Sequence, residues 1–266
     1  VYTGYQSFTG TTEEINAYMG TAHLDFVTNE YLILTNTDDG ETTEMRFDGE
    51  KFVGLRLPPS SYVKAKNSLQ RCALDLLNNK EIPVVAVLGT YGSGKTYLSM
   101  LMALYHVNER GNQSSVLGIR EAKGEGASVG HLPGDFADKV GNFFRPLEQQ
   151  LAGGKFEMES LISRGVLDMQ IPYYLKGTTY NDTLIVVDEA EDLTESQIRL
   201  IGTRVGQNAR IFFAGDYRQS LICKNANNPL VKMCRAFRGN PRFGCIALDE
   251  DVRSETSKMF AELFQE

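Results

Sequence analysis

The sequence predicts an α/β fold, a parallel sheet covered by helices on both faces, with a small β-rich module in front of it. Three observations point there. The runs at 83–88 (PVVAVL), 183–187 (TLIVV) and 210–214 (RIFFA) are short and almost continuously apolar, as strands are when both faces are buried. Helix-patterned segments separate them, and strands alternating with helices favour a parallel sheet. The first 59 residues are punctuated differently, with Asp39-Gly40 and Asp48-Gly49 between short strand-like runs, as in tight turns between antiparallel strands.

In chain order, Thr11 and Glu14 have capping-box spacing, which predicts a short helix through Met19. Strand-like runs follow at 30–35, 42–47 and 51–57, a β-meander that Pro58-Pro59 closes as a linker. Residues 1–59 are thus the module and 60–266 the main domain. Over 63–80 the residues Leu69, Cys72, Ala73, Leu76 and Leu77 share one helical face. The strand at 83–88 runs into a glycine-rich turn and then a helix over 96–108. The strands at 183–187, 210–214 and 244–248 complete the sheet. Four glycines and a proline over 124–134 predict a mobile loop. Thr194 and Gln197 cap another helix, with Glu191 and Asp192 as surface acids ahead of it.

Composition sets the limits. The chain has 266 residues, 42% hydrophobic and 23% charged, ample for a packed core. No apolar run approaches the ~18 residues a membrane span needs, and the start lacks a secretory pattern. A start at Val1 is expected of a piece of a longer chain. Cys72, Cys223, Cys234 and Cys245 form no C-x-x-C pair, so reduced thiols in the cytoplasm are expected and a zinc site is not. Net charge is -7, yet residues 204–242 carry Arg204, Arg210, Arg218, Lys224, Lys232, Arg235, Arg238 and Arg242 against Asp216 alone. That segment either faces phosphates or is a solvated face balanced by acids such as those at 249–251.

Gly89-Thr90-Tyr91-Gly92-Ser93-Gly94-Lys95-Thr96 satisfies G-x-x-x-x-G-K-[ST] at every fixed position. Its glycines let backbone N–H groups turn inward around phosphates, and the helix start behind it favours an anion. Lys95 is expected at the β- and γ-phosphates and Thr96 at Mg²⁺. The apolar strand ending in Asp188-Glu189 is the acidic counterpart. There Asp188 holds Mg²⁺ through water, Glu189 orients the attacking water, and the adjacent strand ends bring both acids beside the loop. A third strand runs into Gly215-Asp216-Tyr217-Arg218-Gln219, with an amide placed to sense the γ-phosphate.

In this order the motifs resemble superfamily 1 helicase cores, and most closely the PhoH family of P-loop ATPases. The matching residues are N-x-x-Q (67–70), the phosphate loop, H-L-P-G-D (131–135), R-P-L (145–147), D-E-A (188–190), T-R-V-G (203–206), G-D-x-x-Q (215–219) and D-V-R (251–253). They cover about residues 64–264. The resemblance implies a RecA-like P-loop core with ATP and Mg²⁺ as cofactors and RNA or single-stranded nucleic acid as partner. It implies that Gln70 reads adenine, that Gln219 contacts the γ-phosphate and attacking water, and that Arg253 or Arg204 is an arginine finger. The expected ATP-contact set is Gln70, the loop from Gly89 to Thr96, and Tyr97. N-E-Y-L-I-L (29–34) resembles the β-module of longer PhoH-like proteins that carry a PIN-type ribonuclease ahead of it. Three departures touch nucleic-acid and inter-subunit contacts: Glu191 where Gln is usual, Lys176-Gly177-Thr178 for R-G-R, and D-V-R for D-V-V-R.

Phe143, Phe144 and Arg145 form a possible stacking surface for unpaired bases, with at least one phenylalanine expected in the core. The reading is an RNA- or single-strand-dependent ATPase or helicase. Two rivals stand beside it: an ATP-dependent switch that regulates an attached ribonuclease, and a small-molecule kinase. Too few residues follow Glu189 for a second core of roughly 150 residues. The active form is therefore expected to be a homo-oligomer, with a hexameric ring as the form considered.

Overall fold

The computed structural model describes residues 1–121, 133–175, 177–248 and 255–264. The expectations for the loop at 124–134, for H-L-P-G-D as a whole, for Lys176, for the acids at 249–251, and for D-V-R with Arg253 fall wholly or partly outside the described residues.

The N-terminal module is a four-stranded sheet in the order β1-β2-β3-β4. Strands β2 (Tyr31–Asn36), β3 (Thr42–Phe47) and β4 (Phe52–Gly54) form the expected antiparallel meander. The third run stops at Gly54, short of residue 57. Strand β1 (Tyr5–Gly10) was not expected; it adds to β2 in parallel, making the sheet mixed. The crossover between them carries helix α1 (Thr12–Met19), whose capping box forms as read: Glu14 N–H donates to Thr11 Oγ1 at 3.2 Å, and Thr11 N–H to Glu14 Oε1 at 3.0 Å. Leu32 and Leu34 pack with Ala22, Phe26 and Phe47 on one face of the module, while Tyr31 and Ile33 face the core of the main domain. The period of two along β2 thus serves two cores.

The main sheet has six strands, all parallel, in the order β10-β5-β9-β8-β6-β7. They are β5 (Val84–Gly89), β6 (Ser115–Ile119), β7 (Leu167–Gln170), β8 (Thr183–Val187), β9 (Arg210–Gly215) and β10 (Phe243–Leu248). Val85, Val87, Leu184, Val186, Phe212 and Ile246 point to one side, under helices α2 (Ser68–Asn78), α3 (Lys95–Leu104), α4 (Pro133–Phe144) and α5 (Gly154–Ser163). Ala86, Leu88, Ile185, Val187, Ile211, Phe213 and Cys245 point to the other, under α6 (Glu195–Gly202) and α7 (Pro229–Phe237). Helix α8 (Glu255–Glu262) follows β10. Burial on both faces explains why β5, β8, β9 and β10 read as nearly continuous apolar runs.

Several expectations need correction. The helix expected over 63–80 begins at Ser68, where Asn67 caps it by accepting from Gln70 N–H at 2.9 Å. Helix α3 begins at Lys95 and continues as a π-turn over Tyr105–Glu109. The strand carrying Asp188-Glu189 is not adjacent to the loop strand, because β9 lies between β5 and β8. Phe143 and Phe144 are both buried, so neither forms a stacking surface. The basic segment 204–242 is not one face. Arg210 is buried and donates to the carbonyls of Leu76, Leu77 and Ile82; Arg218 pairs with Asp216, and Lys232 with Glu195. Among the described residues no helix is long and apolar enough to cross a membrane.

Candidate functional site

The glycine loop joins β5 to α3 at the carboxyl edge of the main sheet, where ligands sit in open α/β folds. Gly92 and Gly94 have φ of 85° and 96°, a region where a side chain is strained. At Gly89 a Cβ would lie 2.4 Å from Ser93 Oγ and 2.9 Å from the carbonyl of Leu248. The loop is locked from within: Thr90 carbonyl accepts from Ser93 N–H at 3.1 Å and from Ser93 Oγ at 2.7 Å. Lys95 and Thr96 are the first residues of α3, so the unpaired amides of that helix start lie beside the lysine charge. Tyr91 is 75% exposed on the loop, and Tyr97 accepts from Gln150 Nε2 at 3.2 Å.

Gln70 is buried against the loop rather than on the helix surface. Its Nε2 donates to Ser93 carbonyl at 3.0 Å and its Oε1 accepts from Lys66 N–H at 2.9 Å. In this arrangement the amide braces the phosphate loop.

Asp188 is the centre of the acidic half. It is buried, and its two oxygens face different partners. Oδ1 accepts from Thr96 Oγ1 at 2.9 Å and from Glu189 N–H at 2.9 Å. Oδ2 accepts from Arg120 Nε at 3.1 Å and from its Nη2. Although β9 intervenes, Thr96 and Asp188 meet because α3 begins over the strand edge and reaches across it. Glu189 has φ of 51°, a left-handed conformation costly for a residue with a side chain. Glu189 Oε2 lies 3.9 Å from Arg120 Nε, the same nitrogen that donates to Asp188 Oδ2.

Arg120 was missed in the sequence because β6 was missed. Its signal was present: the run at 115–119 is apolar and ends in Arg120-Glu121, as a strand does at a ligand-binding edge. Glu191 and Asp192, expected on the surface, are buried. Glu191 Oε2 accepts from Asp216 N–H at 3.3 Å, and Asp192 Oδ1 from Leu221 N–H at 2.8 Å. Both acids tie the Asp188-Glu189 segment to the G-D-x-x-Q turn. Gln219 is exposed on that turn, which follows β9 beside the loop strand. Arg204 is not brought to the site. Its carbonyl accepts from Tyr180 N–H at 2.7 Å beside the Tyr180–Val205 bridge, ahead of β8 and at the opposite edge of the sheet. Arg145 is exposed and donates to Asn142.

The donor set suits Mg²⁺. Thr96 Oγ1 and Asp188 Oδ1 are hard oxygens held together, and Mg²⁺ takes few protein ligands, filling the rest with phosphate and water. Among the described residues no cluster of three or more His, Cys, Asp or Glu side chains that could hold a metal occurs.

Protein PhoH2 of Bacillus subtilis (strain 168) is 28% identical over 225 residues, covering 82% of this chain and 49% of that protein. A PhoH-like protein of the same organism is 31% identical over 173 residues, covering 64% and 54%. Protein PhoH2 of Thermobispora bispora is 28% identical over 234 residues, covering 86% and 52%. The chain thus spans about half the length of the curated relatives it matches. The family described as PhoH-like protein matches residues 62–265, the stretch that holds the loop, the acidic strand and the G-D-x-x-Q turn, and the chain therefore belongs to the PhoH-like family of P-loop ATPase-type proteins.

Proposed function

We propose that this chain is a Mg²⁺-dependent ATPase that acts on RNA or single-stranded nucleic acid. The observation that carries the ATPase reading is the 2.9 Å bond from Thr96 Oγ1 to Asp188 Oδ1 at the mouth of the glycine loop. Two hard oxygens suited to a divalent metal meet there, with Glu189 next in the chain. Thr96 and Asp188 would hold the ion, which when bound screens the phosphate charge. In this reading Lys95 and the loop amides bind the phosphates, Gln70 braces the loop through Ser93, Glu189 positions water, and Gln219, exposed on the turn after β9, contacts the γ-phosphate. A hydrolytic role for Glu189 suits the water-activating pair better than transfer to a metabolite.

The nucleic-acid half rests on the resemblance to helicase cores and on exposed rings. With Phe143 and Phe144 in the core, the aromatic candidates become Tyr173 and Tyr174, which follow β7 at the carboxyl edge and are 82% and 39% exposed. Exposed rings at such an edge can stack on unpaired bases.

The test is ATP hydrolysis with and without single-stranded RNA and DNA, for the wild type and Glu189→Gln. The variant should bind Mg²⁺–ATP and hydrolyse it about 10²–10⁴-fold more slowly, the usual worth of a proton-transfer or positioning group. Loss of binding in that variant would make Glu189 structural. Hydrolysis that neither RNA nor DNA changes would favour an ATP-operated switch acting on an attached ribonuclease.

A further inference from the structure

Arg120 is the first residue beyond β6, and the β6–β8 register pairs Ile119 with Val187. Arg120 and Asp188 are therefore neighbours at the ends of adjacent strands. The sequence places a cation level with the buried carboxylate that meets Thr96.

The pairing is built, not incidental. Asp188 Oδ1 is engaged by Thr96 and by the Glu189 amide, while Oδ2 accepts from Arg120 through two guanidinium nitrogens. The guanidinium lies over the Phe143 ring, 5.0 Å from its centroid. That ring is seated where β6 has no side chain: a Cβ on Gly118 would lie 2.4 Å from it. Gly118, Phe143 and Arg120 thus form a stack, with the planar cation supported on the aromatic face. The outer part of Arg120 remains accessible, its side chain 36% exposed, and its Nε is 3.9 Å from Glu189 Oε2.

A buried carboxylate needs a counter-charge, and here Arg120 provides it. A divalent cation arriving at Thr96 and Asp188 would provide the same charge. Two positive groups on one carboxylate repel each other in a partly desolvated site, and a second anion, Glu189, already lies 3.9 Å from the guanidinium Nε. We propose that Arg120 is a positioning residue of the nucleotide site. It balances Asp188 through Oδ2 while the metal is absent, is displaced by charge repulsion when metal and nucleotide bind at the Oδ1 side, and moves to Glu189, whose carboxylate it then orients. The proposal rests on the nucleotide-site reading above. Arg120 competes with the metal for Asp188, so the site engages only when metal and nucleotide arrive together.

The experiment measures ADP binding by calorimetry across a range of Mg²⁺ concentrations, with thermal melting of the same samples. Wild type, Arg120→Gln and Arg120→Lys are compared, together with Arg120→Gln/Asp188→Asn, in which no buried charge is left unbalanced. Arg120→Gln should melt lower than wild type without Mg²⁺, because Asp188 has lost its counter-charge. It should reach half-maximal ADP binding at about tenfold less Mg²⁺, the scale of one lost charge-assisted hydrogen bond. Arg120→Lys should keep a Mg²⁺ requirement near that of wild type, and the double variant should melt above Arg120→Gln without Mg²⁺. An unchanged or higher Mg²⁺ requirement in Arg120→Gln, with wild type binding normally, would overturn the proposal and leave the nucleotide site standing. If Arg120→Gln fails to fold while the double variant folds, the counter-charge role is supported; if neither folds, it is overturned. Wild type that binds no ADP at any Mg²⁺ concentration would overturn both readings.

Discussion

Lys95 and Thr96 open α3, and the π-turn at its far end carries His106, so one helix spans from the phosphate loop to the base of the domain. His106 is buried there, with Nε2 2.7 Å from Leu77 carbonyl and Nδ1 2.9 Å from Asn112 Nδ2. Those partners suit a neutral ring that donates from Nε2 and accepts at Nδ1. Burial and the neighbouring Arg210 guanidinium push its pKa down to about 4 from an ordinary 6.5. Burial also pushes Arg210 down to about 9, so it remains a cation at neutral pH. The unfolded chain therefore takes up a proton on this imidazole at a pH where the folded chain does not. His106 contributes stability that is fully present above about 6.5 and is lost as the pH falls towards 4. Between pH 7.5 and 5.5 the loss should be about 1 kcal/mol. Urea unfolding at the two pH values should show it, and His106→Gln should remove most of the difference. An equal pH dependence in the variant would mean that other groups are responsible.

Helix α2 links the two sheets at the scale of elements. Its amino end holds Asn67 and Gln70 against the loop, and its middle carries Asp75, which is buried. Asp75 accepts from Tyr31 Oη at 2.6 Å, from Arg46 Nε at 3.2 Å and from Arg56 N–H at 2.7 Å. Asn29 extends the joint by donating to Phe243 carbonyl at 2.9 Å. Removing one member of such a buried network strands the others, so Asp75→Ala should destabilise the protein by about 3 kcal/mol or more. The small sheet and the main sheet should then melt as one transition in the wild type, because the same helix belongs to both cores. Circular dichroism set beside the fluorescence of module and core tyrosines would check this; two separated transitions in wild type would refute it. The same contacts explain what was legible in the sequence. Strands β5, β8, β9 and β10 are buried on both faces and read as apolar runs. The loop and Asp188-Glu189 lie at their ends, so most of the site was legible with them. Strands β1 (YQSFTG) and β7 (LDMQ) lie at sheet edges and carry polar residues, while β6 (SVLGI) is short and holds Gly118 to seat Phe143. Arg120 was lost with β6. The burial of Glu191 and Asp192 depends on a turn distant in sequence, and no local pattern announces it.

At the scale of the whole molecule, the site is one-sided. Thr96, Asp188, Glu189 and Gln219 come from the carboxyl edge of one sheet, while Arg204 lies at the opposite edge. No rearrangement within one subunit carries Arg204 across a six-stranded sheet to its own loop. A second copy stacked head to tail would bring the amino edge of one subunit against the carboxyl edge of the next. A contact of that kind repeats, and it closes into a ring when the rotation allows. The active form is therefore expected to be an oligomer in which a neighbour's arginine completes the site, with Arg204 as first candidate and Arg145 and Arg253 as the others. Lys95→Ala removes the charge over the phosphates and should by itself abolish tight ATP binding or hydrolysis. Arg204→Ala should leave ATP binding intact and reduce hydrolysis by about 10³-fold or more, the usual worth of an arginine finger. Mixing the two inactive variants should restore part of the activity, because some interfaces would join an intact loop to an intact arginine. Light scattering with ATP should report the assembly in the same samples. A wild type that hydrolyses ATP at full rate as a monomer across the concentration range would refute the shared site. An oligomer in which no arginine pair complements would place the missing charge elsewhere in the chain.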